Sequence, residues 1–177
     1  MVITLIGYRG SGKSTVAPLL ARALGCDWID ADVVIEERAG CTIREIFARE
    51  GEPGFRERER DVIGELLGRD SLVLAAGGGA ILNAETRSRM RNAGPVVWLK
   101  APIEILAARI AGDGATADRR PNLAGGGIDE IRRMLTLREP LYRECATLEI
   151  DVGERTPADV AHEFLRHLNR QTPGESA

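Results

Sequence analysis

Gly7-Tyr8-Arg9-Gly10-Ser11-Gly12-Lys13-Ser14 follows the apolar run Val2-Ile3-Thr4-Leu5-Ile6 and opens a segment with helical apolar spacing. The octapeptide fits G-x(4)-G-K-[ST] at every required position. It also stands where that pattern has a mechanism, between a buried strand and a helix. Its glycines let the backbone curl so that successive N–H groups converge on anionic oxygen, beside the positive end of the helix dipole. Lys13 is placed to reach the outer phosphates of a nucleotide, and the Ser14 hydroxyl is a ligand for a divalent cation. Gly10, Ser11, Gly12 and Thr15 complete the cradle. This stretch reads as a nucleotide site but does not separate a kinase from a switch GTPase or an ATP-driven machine.

Outward from the cradle, short apolar runs alternate with longer helical segments. Strands are expected at residues 2–6, 28–30, 72–76, 96–99 and 148–152. Most are continuous β-branched or leucine runs, the mark of parallel strands covered on both faces. In the first helix Val16, Leu19, Leu20 and Ala23 form one face and Gly25 is the stop, with Pro18 tolerable only near the first turns. Thr42-x-x-Glu45 reads as a capping box ahead of Ile43, Ile46 and Phe47, with Gly51 ending that helix. Pro102 suits a first helical position, and Thr156-Pro157-x-Asp159 opens the last helix. This alternation implies one α/β domain over residues 1–170 with a mostly parallel sheet, followed by a frayed tail at 171–177. Residues 112–127 stand apart as a glycine-rich, apolar-poor loop, long enough to be a lid.

The chain has 177 residues, 44% hydrophobic and 29% charged, which excludes global disorder. No apolar run approaches the ~18 residues of a membrane span. A net charge of −3 argues against a general nucleic-acid binder. Cys26, Cys41 and Cys145 have no metal or redox spacing, and the N-terminus lacks a signal-peptide pattern; both point to the cytoplasm. His162 and His167 have no cysteine partner nearby, so zinc is not expected. No aromatic or apolar patch marks an interface, which leaves a monomer as the default.

Other residues choose the reaction. Asp30 and Asp32 follow the second strand, and in extended backbone both carboxylates point toward the ligand crevice. One can serve a metal through water while the other orients or deprotonates an acceptor hydroxyl; alternatively, Asp32 caps a helix beginning at Val33. Gly77-Gly78-Gly79 suits either a ligand pressed against bare backbone or a tight turn. Phe55-Arg56-x-x-Glu59 sets a carboxylate on an apolar helix face with an arginine one turn earlier. That pair either grips an anionic substrate or is a surface ion pair. Arg138 shares a face with Ile131 and Leu135, as a substrate contact or a snorkelling side chain. Arg119-Arg120-Pro121 sits within the lid, where a closing guanidinium can stabilise a transferring phosphoryl group.

Laid out in this order, the motifs resemble the shikimate kinase family over nearly the whole chain. The resemblance rests on G-x(4)-GKST, Asp30-x-Asp32, Phe55-Arg56-x-x-Glu59, Gly77-Gly78-Gly79, Arg120-Pro121 and Arg138-x-Pro140-Leu141-Tyr142. It implies a P-loop kinase fold of three layers, with a five-stranded parallel sheet in the order 2-3-1-4-5, a mobile lid and a substrate-binding segment at about residues 31–62. It implies transfer of the ATP γ-phosphoryl group to the 3-hydroxyl of shikimate. Asp32, Arg56, Glu59, Gly77, Gly78, Gly79 and Arg138 are then assigned to shikimate, with Ser14 and Asp30 on Mg²⁺. Lys13 and Arg120 go to the phosphates, and Arg109 and Arg155 to the adenine end. Asn122 is a departure, since relatives usually carry leucine after R-P. The rival readings are a kinase for gluconate or a nucleoside monophosphate, and a nucleotide-binding module without transferase activity.

Overall fold

The structure is a computed structural model that describes residues 1–112 and 127–171. Arg119, Arg120, Pro121, Asn122 and most of the expected lid lie outside the described residues, as does the tail from 172. The element order is β1 (Val2–Ile6), α1 (Lys13–Leu24), β2 (Asp27–Asp30), α2 (Ala31–Ala39), α3 (Ile43–Leu66) and β3 (Leu72–Ala75). A 3₁₀ turn (Ala80–Leu82), α4 (Ala84–Ala93), β4 (Val96–Lys100), α5 (Ile103–Gly112), α6 (Ile128–Cys145), β5 (Leu148–Asp151) and α7 (Pro157–Gln171) follow.

The five strands form one sheet in the order β2-β3-β1-β4-β5. All its pairings are parallel, with Ile3 opposite Val73 and Leu5 opposite Val97. Both faces are covered, which is why the central strands read as nearly continuous apolar runs, broken in β1 only by the buried Thr4. One face packs Ile6, Leu74 and Trp98 against Phe55, Ile63 and Tyr142. The other packs Leu5 and Val73 against Val16, Leu20 and Phe164. Each such fully buried large side chain contributes about 1.5–3 kcal/mol from transfer out of water. The chain builds first to one side of β1 and then to the other, so a crevice opens above the carboxyl ends of the central strands.

Three expectations need correction. The buried face of α1 is Val16, Ala17, Leu20 and Ala21, while Leu19 is 38% exposed and Ala23 also faces solvent. Alanines 17 and 21 hold the helix close to the sheet, and this rotates the buried stripe away from the larger Leu19. Helix α2 begins at Ala31 rather than Val33, and its N-cap is Asp30, whose side chain accepts from the Asp32 N–H. Gly51 does not end a helix but kinks one. Its φ of 69° and ψ of −175° break α3 locally before the second half resumes with Phe55, Arg56 and Glu59. The Thr42–Glu45 capping box and the Thr156–Asp159 pair both form as the sequence predicts.

Candidate active site

The loop between β1 and α1 curls because its glycines accept backbone angles closed to other residues. Gly7 has φ 146°, and a Cβ there would lie 2.6 Å from the Leu99 carbonyl oxygen. Only glycine fits. The Lys13 ammonium reaches back to donate to the Gly7 and Tyr8 carbonyls at 3.0 and 3.1 Å. The cation is thus held over the mouth of the nest, at the N-terminus of α1, where anionic charge is favoured.

A cavity of about 620 Å³ opens here, lined by the cradle residues 10–15 together with Asp30, Asp32, Gly77, Gly78, Arg109 and Arg155. The Ser14 hydroxyl donates to Asp30 Oδ2 at 2.5 Å. Asp30 therefore does two jobs, taking the helix-capping role that the sequence offered to Asp32. The other Asp30 oxygen satisfies the first turn of α2, and Asp32, already helical, faces the same cavity. The two aspartates converge through a strand-to-helix corner, not through extended backbone. Arg109 donates to the Gly10, Val152 and Gly153 carbonyls, tying α5 to the rim, and Arg155 pairs with Glu163 at the cavity edge.

Arg56 and Glu59 line a neighbouring hollow of about 670 Å³, and the triple-glycine loop runs between the two spaces. Arg56 Nη1 donates to Glu59 Oε2 at 2.5 Å, and its other nitrogens hold Glu52 Oε1. Glu59 is only 3% exposed, so this is not a surface ion pair. A buried carboxylate needs such a partner, and it fixes the guanidinium in return. The guanidinium lies so close to Gly79 that an added Cβ would sit 2.3 Å from Nη1. The glycine is required by the arginine, a reason that the sequence reading of a ligand or a turn did not include.

Arg138 comes from a different helix, α6. It is 8% exposed and its Nη1 lies 3.4 Å from the Gly78 carbonyl oxygen. Its Nε is buried and meets no acceptor among the described residues. The Tyr142 hydroxyl, one turn along α6, donates to the same carbonyl at 2.6 Å. The Tyr8 ring, whose ionisation is pushed up chiefly by burial, flanks the Arg138 guanidinium with its centroid 6.0 Å from Cζ. Two arginines from separate helices thus reach consecutive residues of one glycine loop. A guanidinium so enclosed, with donor capacity to spare, is built for a carboxylate or phosphate oxygen.

Sequence reasoning passed over three contributors. Arg9 occupies an unspecified motif position yet lines the cavity, as does Trp28, which is 40% exposed. Tyr142 enters the sequence pattern only as the end of Arg138-x-Pro140-Leu141-Tyr142; its spacing of four from Arg138 is the signal that both share a face. Among the described residues no cluster suits a resident metal of histidine, cysteine or several carboxylates, and no helix is long and apolar enough to cross a membrane.

Comparison with known proteins places this geometry. The family model for shikimate kinase matches residues 9–169. A shikimate kinase of Rhodopirellula baltica is 47% identical over 163 residues, covering 92% of this chain and 87% of the relative. One from Pseudomonas savastanoi is 44% identical, with coverage of 97% and 98%. Among solved structures, a shikimate kinase from Acinetobacter baumannii in complex with shikimate superposes with a TM-score of 0.91 at 38% identity, covering 98% of this chain and 95% of that one. A Sinorhizobium meliloti gluconokinase shares the fold alone, at 18% identity and a TM-score of 0.60. A cradle, an acidic corner and two arginines meeting on a glycine loop are thus found in a chain that belongs to the shikimate kinase family.

Proposed function

We propose that this kinase transfers the γ-phosphoryl group of ATP to the 3-hydroxyl of shikimate, with Arg56 and Arg138 gripping the shikimate carboxylate. The observation that carries the assignment is the meeting of these two guanidinium groups on Gly79 and Gly78, beside the phosphate cradle. The name of the Acinetobacter baumannii neighbour, a complex with shikimate, supports the choice of acid.

In this reading the backbone N–H groups of residues 10–15 and the Lys13 ammonium bind the polyphosphate. Arg109 and Arg155 border the adenine end. Backbone of Gly77, Gly78 and Gly79 walls the acceptor, and Asp32 orients its 3-hydroxyl. The hydroxyl oxygen forms a bond to Pγ as the bond from Pγ to the bridging oxygen of ADP breaks. The hydroxyl proton passes to the Asp32 carboxylate or to solvent, and ADP carries away the bonding electrons. Such a transfer depends on positioning and charge neutralisation more than on covalent chemistry. Arg120, outside the described residues, supplies the lid's positive charge to the transferring group.

Mg²⁺ fits the donors present. The Ser14 hydroxyl and the Asp30 carboxylate are adjacent hard oxygens on the cavity wall. Ser14 would hold the ion directly and Asp30 through water. When bound, the ion neutralises charge on the β and γ phosphates. We further assign residues 1–170 to one kinase domain, with the lid at about 112–127 and the acceptor segment at about 31–62. The enzyme is proposed to act as a monomer in the cytoplasm, where its three thiols, all free, suit a reducing milieu.

The test is an acceptor panel with MgATP. Shikimate is expected to give ADP and shikimate 3-phosphate, with Arg56→Ala and Arg138→Ala each raising the shikimate KM at least about tenfold and sparing the ATP KM. Preference for gluconate or a nucleoside monophosphate would reject the assignment of the acid. An unchanged shikimate KM in both variants would reject the clamp.

A further inference from the structure

Arg138 and Tyr142 lie one turn apart on α6 and both address the Gly78 carbonyl, but on unequal terms. The hydroxyl donates at 2.6 Å, whereas Arg138 Nη1 stands at 3.4 Å, beyond the range of a good hydrogen bond. Tyr142 is fully buried, stacked on Trp98 with ring centroids 5.5 Å apart, so its hydroxyl has little freedom to turn elsewhere. A buried carbonyl left without a strong donor is costly, and the nearest other donor is the guanidinium.

We infer that Tyr142 is a positioning residue for the acceptor: by satisfying the Gly78 carbonyl, its hydroxyl keeps the Arg138 guanidinium free for the substrate's anionic group. Without the hydroxyl, the carbonyl draws Nη1 inward and holds it, and the incoming carboxylate must compete with backbone for the same N–H. The Tyr8 ring flanks the guanidinium, its centroid 6.0 Å from Arg138 Cζ.

The inference rests on the assignment of Arg138 to shikimate and is tested together with it. Tyr142→Phe removes one oxygen and keeps the ring stack. It is expected to raise the shikimate KM about tenfold, equivalent to about 1.4 kcal/mol, with the ATP KM unchanged. The variants Arg138→Ala and Arg138→Ala with Tyr142→Phe close a double-mutant cycle. If Tyr142 acts through Arg138, the double variant binds shikimate no more weakly than Arg138→Ala alone. A purely structural tyrosine would lower the melting temperature without moving the shikimate KM, or would add its effect in full to that of Arg138→Ala. Either result overturns the inference while leaving the clamp intact. An unchanged KM in Arg138→Ala overturns the clamp and the inference with it. Should Tyr142→Phe turn over too poorly for kinetics, shikimate titration followed by calorimetry on the folded protein reads the same tenfold loss or its absence.

Discussion

Replacing Gly79 with alanine separates the fold from the chemistry. The backbone at Gly79 has φ −105° and ψ 0°, which alanine adopts without strain. The three atoms nearest the new methyl all belong to the Arg56 guanidinium, Nη1, Nη2 and Cζ at 2.3, 2.4 and 2.5 Å. To restore ordinary contact the group must retreat by about 1 Å. It cannot slide away freely, because Nη1 is bonded to the nearly buried Glu59 and the remaining nitrogens to Glu52. Two effects follow. With Arg56 assigned to the substrate carboxylate, misplacing it by that distance costs on the order of 10²-fold, so kcat/KM for shikimate should fall to about one hundredth. Straining the Arg56–Glu59 contact should cost about 1–3 kcal/mol of stability, since Glu59 loses part of its hydrogen bonding in a buried place. The cradle is untouched, so the ATP KM should stay within about twofold. Coupled ADP-release assays with each substrate varied, beside thermal unfolding, read both effects. A well-folded Gly79→Ala protein with unaltered shikimate kinetics would refute the role given to Arg56.

Other expectations come from the acidic corner and the thiols. Asp30→Asn keeps a side chain that caps helices as well as aspartate does, so stability should hold, but it removes the charge beside Ser14. The Mg²⁺ concentration for half-maximal turnover should rise about 10-fold or more, and an unshifted Mg²⁺ titration would count against the assignment. Burial pushes the Cys145 thiol up to about 11, so at pH 8 about one molecule in a thousand carries the reactive thiolate. An aromatic disulfide reagent should therefore label the half-buried Cys26 and Cys41 in the native protein and Cys145 only after unfolding. Rapid native labelling of all three would contradict the buried packing around α6.

Much of the fold was legible because its determinants are local. Continuous apolar runs announced strands covered on both faces. The cradle glycines and the Thr42 and Thr156 boxes act over a few residues, and all formed where the pattern set them. One error lies where a local rule had two solutions. An aspartate at position 30 or 32 can cap α2, and the chain entered the helix early enough to use Asp30, whose second oxygen also reaches Ser14. The buried face of α1 turned on how closely a helix approaches a sheet, which periodicity alone does not carry.

By itself, the amino-acid sequence determined that a glycine-rich nest with a lysine opens onto a helix N-terminus at the end of the first strand, because glycine freedom, a lysine and a helix start act within eight neighbouring positions. It also marked Arg56, Glu59, Gly78, Gly79 and Arg138 as unusual. What they do to one another was decided in the tertiary structure alone. Glu59 is buried by packing, Arg56 is held by Glu59 against Gly79, and Tyr142 takes the carbonyl that stands beside Arg138. Apart from the local Arg56–Glu59 pair, these contacts join residues about 20 to 64 apart in the chain, and their strength depends on burial and on ångström-scale distances. Neither quantity exists until the sheet has brought its loops together.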